Sequence, residues 1–130
     1  TDEVIDGLLV SNLVEPVRLV RAALPHLEQH GFIANISAIV AEHPTAGMAF
    51  YSATKAALTA FDQALARELR RRRLDVLDIR PPHSETGLAN RPLAGEAPKL
   101  PVGLDPDTVA RVIVEAIASG ARDLPSSAFG

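Results

Sequence analysis

A chain of 130 residues with 47% hydrophobic and 22% charged residues can build a core without staples, which excludes general disorder. Thirteen basic against sixteen acidic residues, a formal charge of -3, argue against electrostatic capture of nucleic acid. The absence of cysteine removes disulfides, thiolate nucleophiles and cysteine-bound zinc together.

From Thr1 to His30 the spacing predicts a helix, with Leu8, Leu9, Leu13, Val17, Val20, Leu24 and Leu27 as its apolar stripe. Gly31 is the expected stop just past its C-terminus. Phe32 to Ser37 is short, apolar and rich in β-formers, and predicts a buried strand. Residues 40–49, with Pro44 and Gly47, predict a loop. A second long helix is expected from Phe50 to Arg73, with Ala57, Leu58, Phe61, Ala64, Leu65 and Leu69 inward. The arginines 70–73 suit its C-terminal dipole and are expected to be solvated. Leu74 to Ile79 follows as another short strand. Prolines at 81, 82, 92, 98 and 101 then forbid one regular element, and a stretch that long is usually a lid or binding segment. Asp105-Pro106 marks a helix start and Gly120 its end, with Val109, Val112, Ile113, Ala116 and Ile117 inward. Leu124 to Phe129 is a candidate terminal strand. Helices alternating with short buried strands predict an α/β parallel sheet. Two or three strands make that sheet incomplete on its own.

Tyr51, the only tyrosine, and Lys55, one of two lysines, stand four apart at the start of the second long helix and share a face. An ammonium beside a phenol favours phenolate and suits general acid/base work on a hydroxyl or carbonyl. The same spacing alone also fits a solvated helix pair. The context narrows the choice. Asn35-Ile36-Ser37-Ala38, then Tyr51-Ser52-Ala53-Thr54-Lys55-Ala56-Ala57-Leu58, with Asn12-Leu13 before and Asp78-Ile79-Arg80-Pro81-Pro82 and Thr86-Gly87-Leu88 after, resembles the active-site half of short-chain dehydrogenases/reductases.

The resemblance implies the second half of a Rossmann-type doubly wound parallel sheet with flanking helices, residues 1–130 forming one partial domain and 83–104 its substrate loop. It implies Tyr51 as catalytic acid/base and Lys55 as the group that lowers the tyrosine pKa and holds the nicotinamide ribose. Asn12 would hold a water through its main-chain carbonyl, and Pro16, four residues on, cannot donate to that carbonyl. Pro81, Pro82 and Thr86 would lie at the cofactor, NAD or NADP, with Pro82 standing where family members usually have glycine. The family's catalytic serine falls at Ala38. Ser37, one residue earlier, points to the other strand face and would need a bulge to replace it, with Ser84 and His43 as other donors. His26, His30, His43 and His83 lack metal-ligand spacing, so no metal is expected.

The glycine-rich phosphate loop that would choose NAD or NADP lies outside these 130 residues. The chain is therefore read as part of a longer dehydrogenase, as a half completed by an N-terminal half on another chain, or as a non-catalytic interaction or dimerisation module. A small carbonyl or alcohol substrate is expected, as is a homo-oligomer built on the helices at 8–29 and 50–73. No apolar run reaches the roughly 18 residues of a membrane span, and no signal-peptide pattern opens the chain. A cytoplasmic protein without nucleic-acid or membrane partners is the default expectation.

Overall fold

The computed structural model describes residues 1–84 and 103–130. Helix α1 (Asp2–Leu9) is capped by the Thr1 hydroxyl, which accepts from the Val4 N–H. A π-helical turn, Val10–Val14, joins it to α2 (Glu15–Ala23). Strand β1 is Phe32–Ile36, α3 is Ala49–Glu68, β2 is Asp75–Ile79, α4 is Pro106–Ala118 and β3 is Asp123–Leu124. The three strands form one parallel sheet in the order β1-β2-β3.

Strand β2 is the centre of the sheet and is buried on both faces. Its alternation sends Val76 toward α3, where it packs with Val20, Leu65, Leu69 and Leu74. Leu77 and Ile79 point the other way, into a cluster with Ala116, Leu124 and Phe129. Helix α3 thus covers one face and α4 the other, and two apolar clusters rather than one hold the unit together. The parallel register is unbroken from Phe32 opposite Asp75 to Ile36 opposite Ile79.

Several expectations change. The first helix is interrupted: Pro16 lacks an N–H, and the Glu15 N–H immediately before it reaches back to the Val10 carbonyl, closing a π turn. It also ends earlier than Gly31, in a single 3-10 turn Leu24–His26 around Pro25, and the left-handed residue in that connection is His30 (φ 68°). Strand β1 is not buried. Only β2 pairs with it among the described residues, leaving Phe32 52% and Ile36 54% exposed. The helix read over 50–73 closes through a 3-10 turn, Leu69–Arg72, and Arg73 in the left-handed conformation. Arg72 there donates to the Leu24 carbonyl at 2.9 Å, tying the ends of the first and second helical segments. Ala64 lies exposed, while Asp62 takes an inward place. The terminal strand is two residues long, and Ser126–Phe129 form a 3-10 turn. Helix α4 follows expectation: the Asp105 carboxylate accepts from the Thr108 N–H at 3.2 Å, and Gly120 (φ 74°) ends it.

Candidate functional site

Parallel strands place the C-terminal ends of β1 and β2 together, and the chain leaves both in the same direction. Beyond the strands the pairing continues, with the Ser37 N–H donating to the Ile79 carbonyl at 2.8 Å and the Ile39 N–H to the Pro81 carbonyl at 3.0 Å. The first turns of α3 lie beside this rim and carry Tyr51 and Lys55. The Lys55 ammonium stands 5.8 Å from the Tyr51 ring centroid and donates to the Ile36 carbonyl at 3.3 Å. That is its single hydrogen bond among the described residues, so two of its three N–H donors remain for another partner.

The electrostatics of the pair differ from the expectation of a simple lysine-lowered phenol. Burial pushes the Tyr51 phenol up from its ordinary value. Burial also pulls the Lys55 ammonium down, and the Asp78 charge pulls it part of the way back. Both groups are half-buried, and both are harder to ionise than in water.

Asn12 lies in the middle of the π turn. Its amide donates to the Thr54 hydroxyl at 3.1 Å, and that hydroxyl donates to the Tyr51 carbonyl at 2.8 Å. The widened turn therefore seats Asn12 against the same helical turn that bears Tyr51 and Lys55. Residues 10–14, 51, 54 and 55 form one constellation.

Ser37 is elsewhere. It is 3% exposed, and its hydroxyl faces Asp78 at 3.0 Å and the Ile79 carbonyl at 3.1 Å while accepting from Thr59 at 3.1 Å. No bulge interrupts β1 to turn it outward. Ala38, extended at φ -167° and half-buried, occupies the rim position instead. Pro81 and Pro82 lie half-buried at the end of β2. His43 is well exposed, its side chain 3.9 Å from Glu42. Thr86 and most of the 83–104 segment lie outside the described residues. Ser84 and Leu104, which flank that gap, pair in a parallel bridge.

Sequence reasoning missed the polar interior under this rim. Asp62 (1% exposed) and Asp78 (3%) are buried, and so is Arg80. Arg80 donates to Glu42 at 2.7 Å, makes a paired contact with Asp123 at 2.8 and 2.9 Å, and bonds Asp78. Glu42 also accepts from the Ser126 N–H at 3.0 Å and from its hydroxyl. Burial alone would raise the Glu42 carboxyl, but the Ser126 and Arg80 bonds outweigh it and lower the pKa to about 2. The signal was present: an aspartate on an otherwise inward helical stripe, and Asp78 and Arg80 alternating within an apolar strand.

The short chain dehydrogenase family model matches residues 1–96. An uncharacterized oxidoreductase of Staphylococcus epidermidis is 33% identical over 97 residues, covering 73% of this chain and 42% of that protein. The 3-oxoacyl-(acyl-carrier-protein) reductase of Escherichia coli is 32% identical over 108 residues, 78% of this chain and 44% of the reductase. This chain therefore spans less than half the length of those relatives. Among solved structures, a short-chain dehydrogenase of Streptomyces avermitilis superposes with a TM-score of 0.79 at 28% identity, over 98% of this chain and 55% of that one. One from Burkholderia cenocepacia, in complex with NADP, has the same fold at 23% identity, with a TM-score of 0.81 over 97% of this chain and 51% of that one. With a parallel sheet, a helix that sets Tyr51 and Lys55 beside its C-terminal rim, and a sequence match over residues 1–96, this chain belongs to the short-chain dehydrogenase family.

Proposed function

We propose that this chain supplies the acid/base half of an NAD(P)-dependent oxidoreductase that interconverts a small carbonyl compound and its alcohol. The observation that carries the reading is the half-buried Tyr51–Lys55 pair at the strand ends, with two lysine donors unspent. Those donors and the Tyr51 hydroxyl suit a nicotinamide riboside, whose ribose hydroxyls need donors and whose ring leaves room for a carbonyl beside the phenol. A bound nicotinamide supplies or accepts the hydride. Tyr51 gives its proton to the carbonyl oxygen during reduction and takes it back during oxidation. Lys55 stabilises the phenolate left behind and orients the ribose. Asn12 fixes the turn of α3 that bears both, through Thr54. Ser37 acts from beneath the rim by anchoring Asp78, and Pro81 and Pro82 line the cofactor side.

The test is NAD(P)H consumption with a panel of ketones and aldehydes. Tyr51→Phe is expected to lower turnover by ~10²–10⁴. Unchanged turnover in that variant would remove Tyr51 from the chemistry.

A second reading, a non-catalytic association module, is favoured by Ala38 at the rim and by Ile5, Leu9, Val10 and Leu19 on the first helices, Leu19 being 72% exposed. In it, the helices at 8–29 and 50–73 pack against a second copy. Failure to bind NADPH in a fluorescence titration, together with a concentration-dependent mass in sedimentation, is the outcome that selects it.

A further inference from the structure

One side-chain cluster ties together the exits of all three strands. Arg80 follows β2, Asp123 lies in β3 opposite Asp78, and Glu42 closes the 3-10 turn Ile39–Ala41 that follows β1. The Arg80 guanidinium is buried, and each of its three nitrogens is engaged. Nε donates to Glu42 at 2.7 Å, one terminal nitrogen to Asp78 and Asp123, and the other to Asp123 at 2.9 Å. Its planar fork is therefore a fixed anchor. The Glu42 carboxylate takes that anchor with Oε1, which also accepts from the Ser126 N–H at 3.0 Å, while Oε2 accepts from the Ser126 hydroxyl.

The turn that Glu42 closes has little else to hold it. A single 3-10 turn has poor bond geometry and no cooperativity of its own. Among the described residues its one backbone tie to the sheet runs from the Ile39 N–H to the Pro81 carbonyl at 3.0 Å, and its one buried side chain is Val40. Ala38 belongs to the same turn, since its carbonyl accepts from the Ala41 N–H at 3.0 Å. The bonds to the Glu42 carboxylate are charge-assisted, and they are the strongest fastening the turn has. Beyond Glu42 the chain crosses to α3, where the Thr45 N–H donates to the Ser52 hydroxyl at 3.4 Å, next to Tyr51.

We propose that Glu42 is a positioning residue for the substrate side of the site: bridging Arg80 and Ser126, it sets the turn that presents Ala38 at the rim. The C-terminal segment 123–126 thereby shapes a site to which it contributes no reacting group. This rests on the reading of the rim as the Tyr51–Lys55 acid/base site. Reach, not charge, is what the role requires, because Arg80 without a charged Glu42 still has Asp78 and Asp123. Glu42→Gln keeps an oxygen for Arg80 and the Ser126 N–H, and its NH2 can donate to the Ser126 hydroxyl, which turns to accept. Glu42→Asp keeps the charge and falls one methylene short of both partners.

Amide hydrogen exchange by NMR tests the strap, with Leu77 in β2 as the reference for the stability of the whole unit. In Glu42→Ala and Glu42→Asp the Ile39 and Ala41 amides are expected to exchange ~10–10²-fold faster relative to Leu77, the worth of hydrogen bonds to a charged group. Glu42→Gln should stay near the parental ratio. Equal acceleration at Leu77, or Glu42→Gln as fast as Glu42→Ala, would overturn the assignment. In turnover, Glu42→Ala is expected to raise the KM for the carbonyl more than that for NAD(P)H, and an unchanged carbonyl KM would remove Glu42 from the substrate side. Ser126→Ala takes one bond from the same carboxylate and strands no buried charge, so it carries the test if the other variants fail to fold. It should quicken the same two amides, and an unchanged rim would overturn the C-terminal contribution. Exchange is read without turnover: if Tyr51→Phe remains fully active while the rim amides respond to Glu42, the proposed reaction fails and the strap stands.

Discussion

A hydroxyl placed on Ala38 would enter the rim directly, because the backbone there is already extended and leads into the turn beside α3. Ala38→Ser is therefore expected to raise carbonyl turnover by ~10²-fold, the usual worth of one donor at a reacting oxygen. Steady-state kinetics read it, and a variant no faster than the parent would show that the position does not face the substrate. Ser37→Ala acts differently, since it strips bonds from buried Asp78 and half-buried Thr59. It should cost about 1–3 kcal/mol of stability in denaturant titration. Two acidic residues bend the pH profile of stability in opposite senses. Glu42 is depressed in the folded state, so its contribution is present above its ordinary value of 4.5 and is lost as pH falls toward about 2. Asp62 is raised, so its contribution is present below 3.8 and is lost as pH climbs through about 7. Glu42→Gln should flatten the acid limb of thermal melts taken across pH, and Asp62→Asn the descent between about 4 and 7. A melt profile with the same acid limb in Glu42→Gln would deny Glu42 that role.

At the scale of elements, the π turn decides how Asn12 meets α3. An unbroken helix would rotate Asn12 about 100° per residue gained or lost, away from Thr54. Pro16→Ala restores a donor and should let residues 10–14 relax toward regular helix. The expected readout is faster solvent exchange of the Asn12 side-chain amide as its bond to Thr54 weakens. An unchanged amide would mean that packing, not Pro16, maintains the turn. The two long helices, both five-residue strands and α4 were legible, because their apolar spacing, the Asp105-Pro106 start and Gly120 are local signals. The π turn was half legible: Pro16 announced a missing donor, but the compensating bond from Glu15 to Val10 has no mark in the sequence. Strand β1 misled for a different reason. An apolar run reads as buried whether or not a neighbour covers it, and burial of Phe32 and Ile36 depends on what pairs alongside.

For the whole molecule, the exposed flank of β1 is the principal liability of this chain in isolation. The β1 edge beside Phe32 and Ile36, which no second strand covers among the described residues, invites a further strand or another molecule. Ile36→Lys should lower the weight-average mass of this chain at high concentration in sedimentation, whereas a mass unaffected by the change would place self-association elsewhere. The proximity of Tyr51 and Lys55 was legible from their four-residue spacing, and the resemblance that Asn12 and residues 35–38 complete gave it its context. The polar interior was legible only in part: Asp62 interrupts an inward stripe and Asp78 an apolar strand, but Glu42, Asp123 and Ser126 lie in other stretches and share no spacing with them. Arg80 gathers most of them.

That dispersion has a consequence in time. Arg80 waits 43 residues for Asp123, and Glu42 waits 84 for Ser126. On a ribosome, β1, α3 and β2 emerge and can pack while the guanidinium still lacks its paired carboxylate. Until the last few residues arrive, that guanidinium has only Glu42 and Asp78 as partners. Synthesis therefore completes the ion cluster around Arg80 after the scaffold that holds it, and a chain stopped short of Asp123 would leave that guanidinium without its bidentate partner.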